Sequence, residues 1–299
     1  MKAQNYWKNY VYQTDAEEIE TNLRQATFKA RGLNLSLKYF ETSKNAPNVL
    51  LVVGTGCYSL YLAELGYHIH LRGYNVFGID FQGHGDSDGG KGEFTIDELV
   101  ENCSDAAKYI SSIFNNRIGA SGFSLGGFVT FYLGLTHGPV KSILCQNPGI
   151  LTERRFQNEV TKLNRIIPIA RFLASFLPKM KVPTKRYVDF MGLAETEGER
   201  KHVEIYMNDP DIVKHYTLRA AISQISTPPP HPIGELKAAT MFLAPTKDKL
   251  MSVSYVRDLY DRLPPIKKKF LEVNGGHYWM SSHPREAANV ICDWFDETL

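Results

Sequence analysis

The sequence predicts an α/β protein: a mostly parallel central sheet with helices on both faces and a helical cap inserted after the sixth strand. Three observations predict it. Short apolar runs suited to buried strands alternate with amphipathic helical stretches, first from about residue 49 to 146 and again from 240 to 295. Between residues 150 and 227 the alternation stops, and helical periodicity interrupted by prolines replaces it. Inside the first series, Gly122-Phe123-Ser124-Leu125-Gly126 joins a strand-like run to a helix-like one, placing a serine in a G-x-S-x-G turn.

In chain order, residues 1–26 read as an acidic, partly helical extension to which the sequence assigns no role. Thr27–Ala30 and Leu33–Phe40 alternate apolar and polar residues around Arg31-Gly32, the pattern of a β-hairpin. Val49–Val53 is a continuous apolar strand buried on both faces, closed by Gly54-Thr55-Gly56, and a helix spans about Leu60 to Arg72. Tyr74–Asp80 forms the next strand and empties into a glycine-rich loop, Phe81 to Gly89. Thr95-Ile96-Asp97-Glu98 is a capping box that opens a helix to about Phe114. Arg117–Ser121 is the strand before the serine, Phe128–Leu135 belongs to the helix after it, and Lys141–Gln146 is the sixth strand. After residues 150–227 and the stiff Thr227–Pro232 stretch, strands at Thr240–Ala244 and Lys269–Val273 alternate with helices at Val253–Leu263 and Arg285–Phe295. An insertion within a continuing pattern reads as a cap over residues 27–149 and 228–299, which form one core.

The chain has 299 residues, 43% of them hydrophobic, enough for a sizeable core. Lys and Arg total 34 against 32 for Asp and Glu, so nothing in the charge balance calls for a nucleic acid partner. Cys57, Cys103, Cys145 and Cys292 are scattered singly and read as reduced thiols. No signal-peptide core and no membrane-length apolar run is present, which predicts a soluble, cytoplasmic protein.

A serine hydroxyl becomes a useful nucleophile only when a base takes its proton and a third group orients that base. Asp248 follows the strand ending at Ala244, and His277 follows a Gly-Gly turn after the last strand. The order Ser124, Asp248, His277 is the one this strand–turn–helix arrangement requires. Asp80 precedes the serine and is read as tying its glycine loop together, Asn147 is no carboxylate, and the other histidines sit in no comparable setting. Oxyanion donors are expected from the backbone N–H groups of Leu125, which follows the nucleophile, and of Thr55, in the loop after the Val49–Val53 strand. No metal-ligand spacing and no dinucleotide fingerprint occurs, so neither metal nor cofactor is expected.

Within the inserted segment, Arg154, Arg155, Lys162, Arg165, Arg171, Lys179, Lys181, Lys185 and Arg186 interleave with Leu163, Ile166, Ile167, Ile169, Phe172, Leu173, Phe176 and Leu177, and Glu159 is the only acid in that stretch. Two readings are open: an apolar face packed on the core with the cations solvated, or a basic amphipathic surface that rests on lipid or admits an acyl chain.

These residues resemble the α/β-hydrolase superfamily, and within it the monoacylglycerol lipase and lysophospholipase-like branch, over roughly Phe28 to the C-terminus. Gly122–Gly127 resembles that branch's G-H-S-M-G-G elbow and Asp80–Ser87 its D-x-x-G-H-G-x-S loop. Phe176-Leu177-Pro178 and Glu204–Pro210, with its Y-x-x-D-P turn, resemble its cap. Val53 stands where the family's oxyanion loop usually begins with histidine, and Phe123 where histidine often precedes the nucleophile; neither change removes a backbone donor. The resemblance implies a serine hydrolase cleaving carboxylic esters, with a monoacylglycerol or lysophospholipid as substrate and peripheral membrane contact through the basic cap. A thioesterase, acyltransferase or small-peptide hydrolase uses the same three residues, and a silent ligand-binding relative shares the fold.

Overall fold

The computed structural model describes residues 5–161 and 167–299. After a short helix α1 (Ala16–Asn22), capped by the Asp15 carboxylate, β1 (Arg24–Ala30) and β2 (Leu33–Phe40) pair antiparallel. β1 thus starts three residues ahead of the alternation visible from Thr27. β3 (Asn48–Val52), α2 (Ala63–Leu71), β4 (Asn75–Ile79), α3 (Ile96–Ile113), β5 (Ile118–Phe123), α4 (Leu125–Leu135) and β6 (Ser142–Gln146) follow. The Thr95–Glu98 capping box is formed at the start of α3. Between β6 and the next sheet strand lie α5 (Arg154–Val160), α6 (Ile167–Phe176), β7 (Lys181–Pro183), α7 (Glu197–Asn208), β8 (His215–Thr217) and α8 (Leu218–Ser223). β9 (Ala239–Pro245), α9 (Val253–Asp261), β10 (Lys268–Val273), α10 (Trp279–Ser282) and α11 (Pro284–Asp296) complete the chain.

The eight-stranded sheet runs β1-β2-β4-β3-β5-β6-β9-β10. The β1–β2 and β2–β4 pairs are antiparallel and every other neighbouring pair is parallel. Strands β3 to β6 are buried throughout, which is why they read as unbroken apolar runs rather than alternating ones. Helices cover both faces. Gly119 faces Phe295 of α11 and Gly122, three residues on, faces Thr130 of α4, which the two-residue period of a strand places on opposite sides. From β3 the chain steps outward to β4, then returns to β3's other side as β5. In such open sheets the reversal leaves a crevice beyond the carboxyl ends of the two strands, and Thr55 and Ser124 stand there.

One expectation needs correction. Residues 150–227 contain no strand on the sequence reading, yet β7 and β8 form an antiparallel ribbon with Val182 opposite Tyr216. Three residues per strand, one of them Pro183, are too few to establish a period of two.

The N-terminal extension acquires a structural role. Tyr6 Oη donates to the Ile205 carbonyl at 3.2 Å and Tyr10 Oη to Asp209 Oδ2 at 2.9 Å. Tyr58 Oη reaches the same carboxylate oxygen at 2.9 Å. Asp209, the acid of the Y-x-x-D-P turn, therefore joins the extension, the loop after β3 and the end of α7. His202 is a second junction. Its Nδ1 lies 2.9 Å from Tyr12 Oη and its Nε2 bonds Tyr61 Oη. The tyrosine-rich opening of the chain straps α7 to the loop that follows β3.

His202 and His84 are both buried, and burial lowers each imidazole to about 4. His84 packs its glycine loop, with Nδ1 donating to the Gln82 carbonyl at 3.0 Å. Their folded values lie below the ordinary 6.5, so between pH 6.5 and 4 the unfolded chain binds protons that the folded protein refuses. Stability attached to these groups is present above pH 6.5 and falls as pH drops toward 4, by up to about 3 kcal/mol for each. Urea midpoints measured at pH 7.5 and 4.5 will show a smaller acid loss in a His84→Gln, His202→Gln variant than in the wild type. An equal loss in the two proteins would refute the assignment.

Candidate active site

Ser124 occupies the turn between β5 and α4 with φ 56° and ψ −126°, a left-handed backbone for a residue that carries a side chain. The flanking glycines make that turn possible by letting chains touch. A Cβ on Gly122 would stand 2.4 Å from the Gly126 carbonyl oxygen, and one on Gly126 would stand 2.2 Å from the Val52 carbonyl oxygen. The consequence is that β3, β5 and the start of α4 meet backbone to backbone, and the serine is held at the crevice.

The three residues singled out from the sequence come together. Ser124 Oγ is 3.0 Å from His277 Nε2, and His277 Nδ1 is 3.0 Å from Asp248 Oδ2. Nδ1 faces an acceptor-only carboxylate, so it carries the hydrogen and Nε2 is left free to accept from the serine hydroxyl. Asp248 is buried, and burial by itself would raise its pKa. The His277 ring, the Asn147 side-chain amide and the Leu250 N–H outweigh that cost and hold the carboxyl below its ordinary range. Asp80 does what its position suggests, accepting from the Ser59 and Asp86 N–H groups at 2.7 and 3.0 Å beneath the glycine loop.

Asn147 carries no charge and is no candidate for the acid, yet it holds the acid in place. It sits at φ 62° just past β6, and its Nδ2 donates to Asp248 Oδ2 at 2.8 Å. Next to it, Gln146 Nε2 donates to the His277 carbonyl at 2.7 Å. Two neutral residues at the end of one strand thus fix both the acid and the histidine; the available signal was their place at a strand terminus in this sheet. Glu199 is a second omission. It completes a capping box with Thr196 at the start of α7, and its carboxylate lies against Gly276, where an added Cβ would be 3.0 Å from Oε2. The Thr196-Glu197-Gly198-Glu199 spacing signals that cap.

Thr55 lines the same cavity as Ser124, and Leu125 opens α4 directly behind it. Among the described residues, no acceptor takes the backbone N–H of either. Thr55 is held by its carbonyl, which accepts from Tyr206 Oη at 2.9 Å, and Gly56 N–H donates to Tyr216 Oη at 2.5 Å. Both tyrosines come from the inserted segment, which therefore shapes the loop after β3. Phe123, in place of the histidine common in the resembled branch, stacks on Tyr61 with ring centroids 6.1 Å apart.

Ser124 and His277 open onto a cavity of about 210 Å³. Its walls are apolar side chains from α4, α5, α6 and α8, among them Phe128, Phe156, Val160, Ile167, Leu218 and Ile222. Among the described residues that line it there is no carboxylate, lysine or arginine. On the outside of the same segment, Ile169, Phe172, Leu173, Phe176, Leu177 and Met180 are exposed, Phe172 and Phe176 by about two-thirds of their surface. The packed-face reading therefore fails for α6. Lys162, Leu163, Arg165 and Ile166 lie outside the described residues. The four cysteines are buried and unpaired.

The family described as "Serine aminopeptidase, S33" matches residues 43–278, most of the chain. No curated protein sequence matches. Among solved structures, a soluble variant of monoglyceride lipase from Saccharomyces cerevisiae, in complex with a substrate analogue, superposes with a TM-score of 0.75 at 17% identity, over 96% of this chain and 97% of that one. The monoacylglycerol lipase of Paleococcus ferrophilus superposes with a TM-score of 0.69 at 19% identity, over 91% and 98% of the two chains. A DcsB complex with its substrate analogue gives 0.72 at 18% identity, covering 93% of this chain and all of that one. These likenesses establish the fold, and the family match over residues 43–278 establishes the kinship: this chain belongs to the serine aminopeptidase S33 family of α/β hydrolases.

Proposed function

We propose that this protein hydrolyses carboxylic esters of medium- or long-chain acyl groups, such as monoacylglycerols or lysophospholipids, through an acyl-enzyme on Ser124. The observation that carries the reading is the hydrogen-bonded series Ser124–His277–Asp248 opening onto a cavity whose described lining is mostly apolar and holds no carboxylate, lysine or arginine. His277 Nε2 takes the Ser124 proton as Oγ attacks the ester carbonyl, and the N–H groups of Leu125 and Thr55 receive the oxyanion. Asp248 holds the Nδ1 tautomer and stabilises the imidazolium. The imidazolium then protonates the departing alcohol, and a water activated by the same ring releases the acid. The cavity lining also bears on the family's descriptive name. An aminopeptidase must hold an N-terminal ammonium, a charge that the described walls, mostly apolar and without a carboxylate, penalise. An acyl chain gains by entering such walls, at roughly 0.8 kcal/mol per buried CH₂.

The inserted segment, residues 150–227, serves in this reading as the cap that both lines the acyl site and meets the surface from which substrate comes. α6 contributes Ile167 and Ala170 to the cavity while its outer face exposes Ile169, Phe172, Leu173 and Phe176. Arg171, Lys179, Lys181, Lys185 and Arg186 lie on or just after α6 in the chain, and residues 167–188 contain no acid. Exposed apolar residues in a stretch rich in cations and free of acids suit an anionic lipid surface. Among the described residues no helix is long and apolar enough to cross a membrane, so the contact is peripheral.

Nitrophenyl esters of increasing acyl length test the chemistry. Decanoate will exceed acetate in kcat/KM, Ser124→Ala and Asp248→Asn will each lower kcat by about 10⁴ or more, and Asn147→Leu by about tenfold. A preference for acetate would overturn the lipid-ester assignment, and full activity in Ser124→Ala would overturn the mechanism. Sedimentation with phosphatidylserine-containing vesicles tests the surface. Phe172→Ser with Phe176→Ser will abolish co-sedimentation, whereas unchanged binding, or none by the wild type, would remove the membrane contact.

A further inference from the structure

Away from the crevice, His137, His231 and Glu235 come together at the surface, with one donor atom from each lying within 4.8 Å of the others. Ser124 precedes α4 and His137 follows its end, so the 11 residues of the helix, about 16 Å, separate this group from the nucleophile. His137 stands in a left-handed conformation, φ 54°, one residue past the helix cap Thr136. His231 lies between Pro230 and Pro232, and Glu235 ends the single 3-10 turn Ile233–Glu235.

The two sides of the group are held in place by contacts of their own. Tyr132 Oη of α4 donates to the Thr227 carbonyl at 3.0 Å, and a Cβ added at Gly134 would stand 3.4 Å from Leu236 Cδ1. Between those two contacts, the prolines flanking His231 restrict its backbone. The two imidazoles stack with ring centroids 4.5 Å apart and planes inclined by 20°. His137 Nε2 donates to the Glu235 carbonyl at 3.0 Å, which puts the hydrogen on Nε2 and the lone pair on Nδ1. A backbone carbonyl on the second ring nitrogen is the usual outer partner of a metal-bound imidazole, fixing its tautomer and orientation. His231 Nδ1 lies 3.5 Å from Glu235 Oε2.

Two imidazoles and one carboxylate are a recurring ligand set for zinc that keeps a fourth position open. Tetrahedral bonds of about 2.0–2.1 Å put ligand atoms about 3.3 Å apart, so closing the group takes at most about 1.5 Å of movement. His231 and Glu235, with side chains about half exposed, can supply that by rotation. We infer that His137, His231 and Glu235 bind one Zn²⁺ ion, with water in the fourth position. The ion joins the end of the helix that follows the nucleophile to the stretch leading from the inserted segment back into β9. No local spacing announces the site, because His137 is 98 positions from Glu235. The inference is independent of the ester-hydrolase reading.

Calorimetric titration of zinc into the tag-free full chain at pH 7.5 tests it. One equivalent will bind with a Kd of about 1 µM or tighter, whereas magnesium, which prefers oxygen ligands, will not bind. His137→Asn, which tolerates the left-handed backbone, and His231→Gln will each weaken zinc binding by more than about 100-fold, beyond the loss that follows removal of an outer-shell partner. Ser124→Ala will bind zinc as the wild type does, so the result does not depend on ester hydrolysis. Hydrogen exchange locates the ion: zinc will slow amides in residues 136–139 and 227–236 of the wild type and leave those of the two histidine variants unchanged. Cobalt in place of zinc will give d–d absorption without a thiolate charge-transfer band, which sets the site apart from the buried cysteines. Absence of saturable zinc binding, undiminished binding in both histidine variants, protection confined to other segments, or a thiolate band would each overturn the site.

Discussion

The left-handed backbone of Ser124 is the constraint on which the rest of the molecule depends. A residue with a side chain held at φ 56° costs of order 1–3 kcal/mol, and it persists only where its surroundings leave no alternative. Here they leave none. β5 is buried along its length between β3 and β6, and α4, buried on every side, starts at the next residue. Carbonyl oxygens of Val52 and Gly126 occupy the space where side chains on the flanking glycines would go. The turn is therefore set by packing of backbone on backbone, and the direction of the serine hydroxyl is a consequence.

From that fixed point the chemistry follows the sheet. Parallel strands deliver their carboxyl ends to one edge, so Thr55 after β3, Ser124 after β5, Asn147 after β6, Asp248 after β9 and His277 after β10 meet although 222 residues separate the first from the last. Register limits how far each can drift, because Phe123 pairs with Gln146 and Gln146 with Leu243. Gln146 and Asn147 convert that registration into hydrogen bonds on His277 and Asp248. The inserted segment acts on the same edge from above, through Tyr206 on the Thr55 carbonyl and Tyr216 on the Gly56 amide. The N-terminal strap in turn holds α7, the helix that carries Tyr206.

How much of this was legible in the sequence depends on the range of the interaction. The sheet strands and the capping box of α3 declare themselves locally, by apolar runs and by Thr95 and Glu98 three residues apart. Ser124, Asp248 and His277 are legible because each follows a strand and their order is restricted. Asn147 was not, because its importance lies in a hydrogen bond to a residue 101 positions away and an asparagine carries no local mark of it. The strap was hidden for the same reason: Tyr10 and Tyr12 look like ordinary aromatic residues until Asp209 and His202 are brought beside them. The β7–β8 ribbon was too short for any period to show. The outer face of α6 was ambiguous in principle, since an amphipathic stripe does not say whether its apolar side is covered.

The proposed function rests on one bond that no static arrangement displays, the ester between Ser124 Oγ and an acyl group. Intact-protein mass spectrometry of samples quenched during turnover of nitrophenyl decanoate measures it directly. The mechanism predicts a transient species heavier by one decanoyl group, with the modification on the peptide containing Ser124 and absent from Ser124→Ala. Steady turnover that depends on His277, with the acyl group never found on Ser124 or found on another residue, would contradict it.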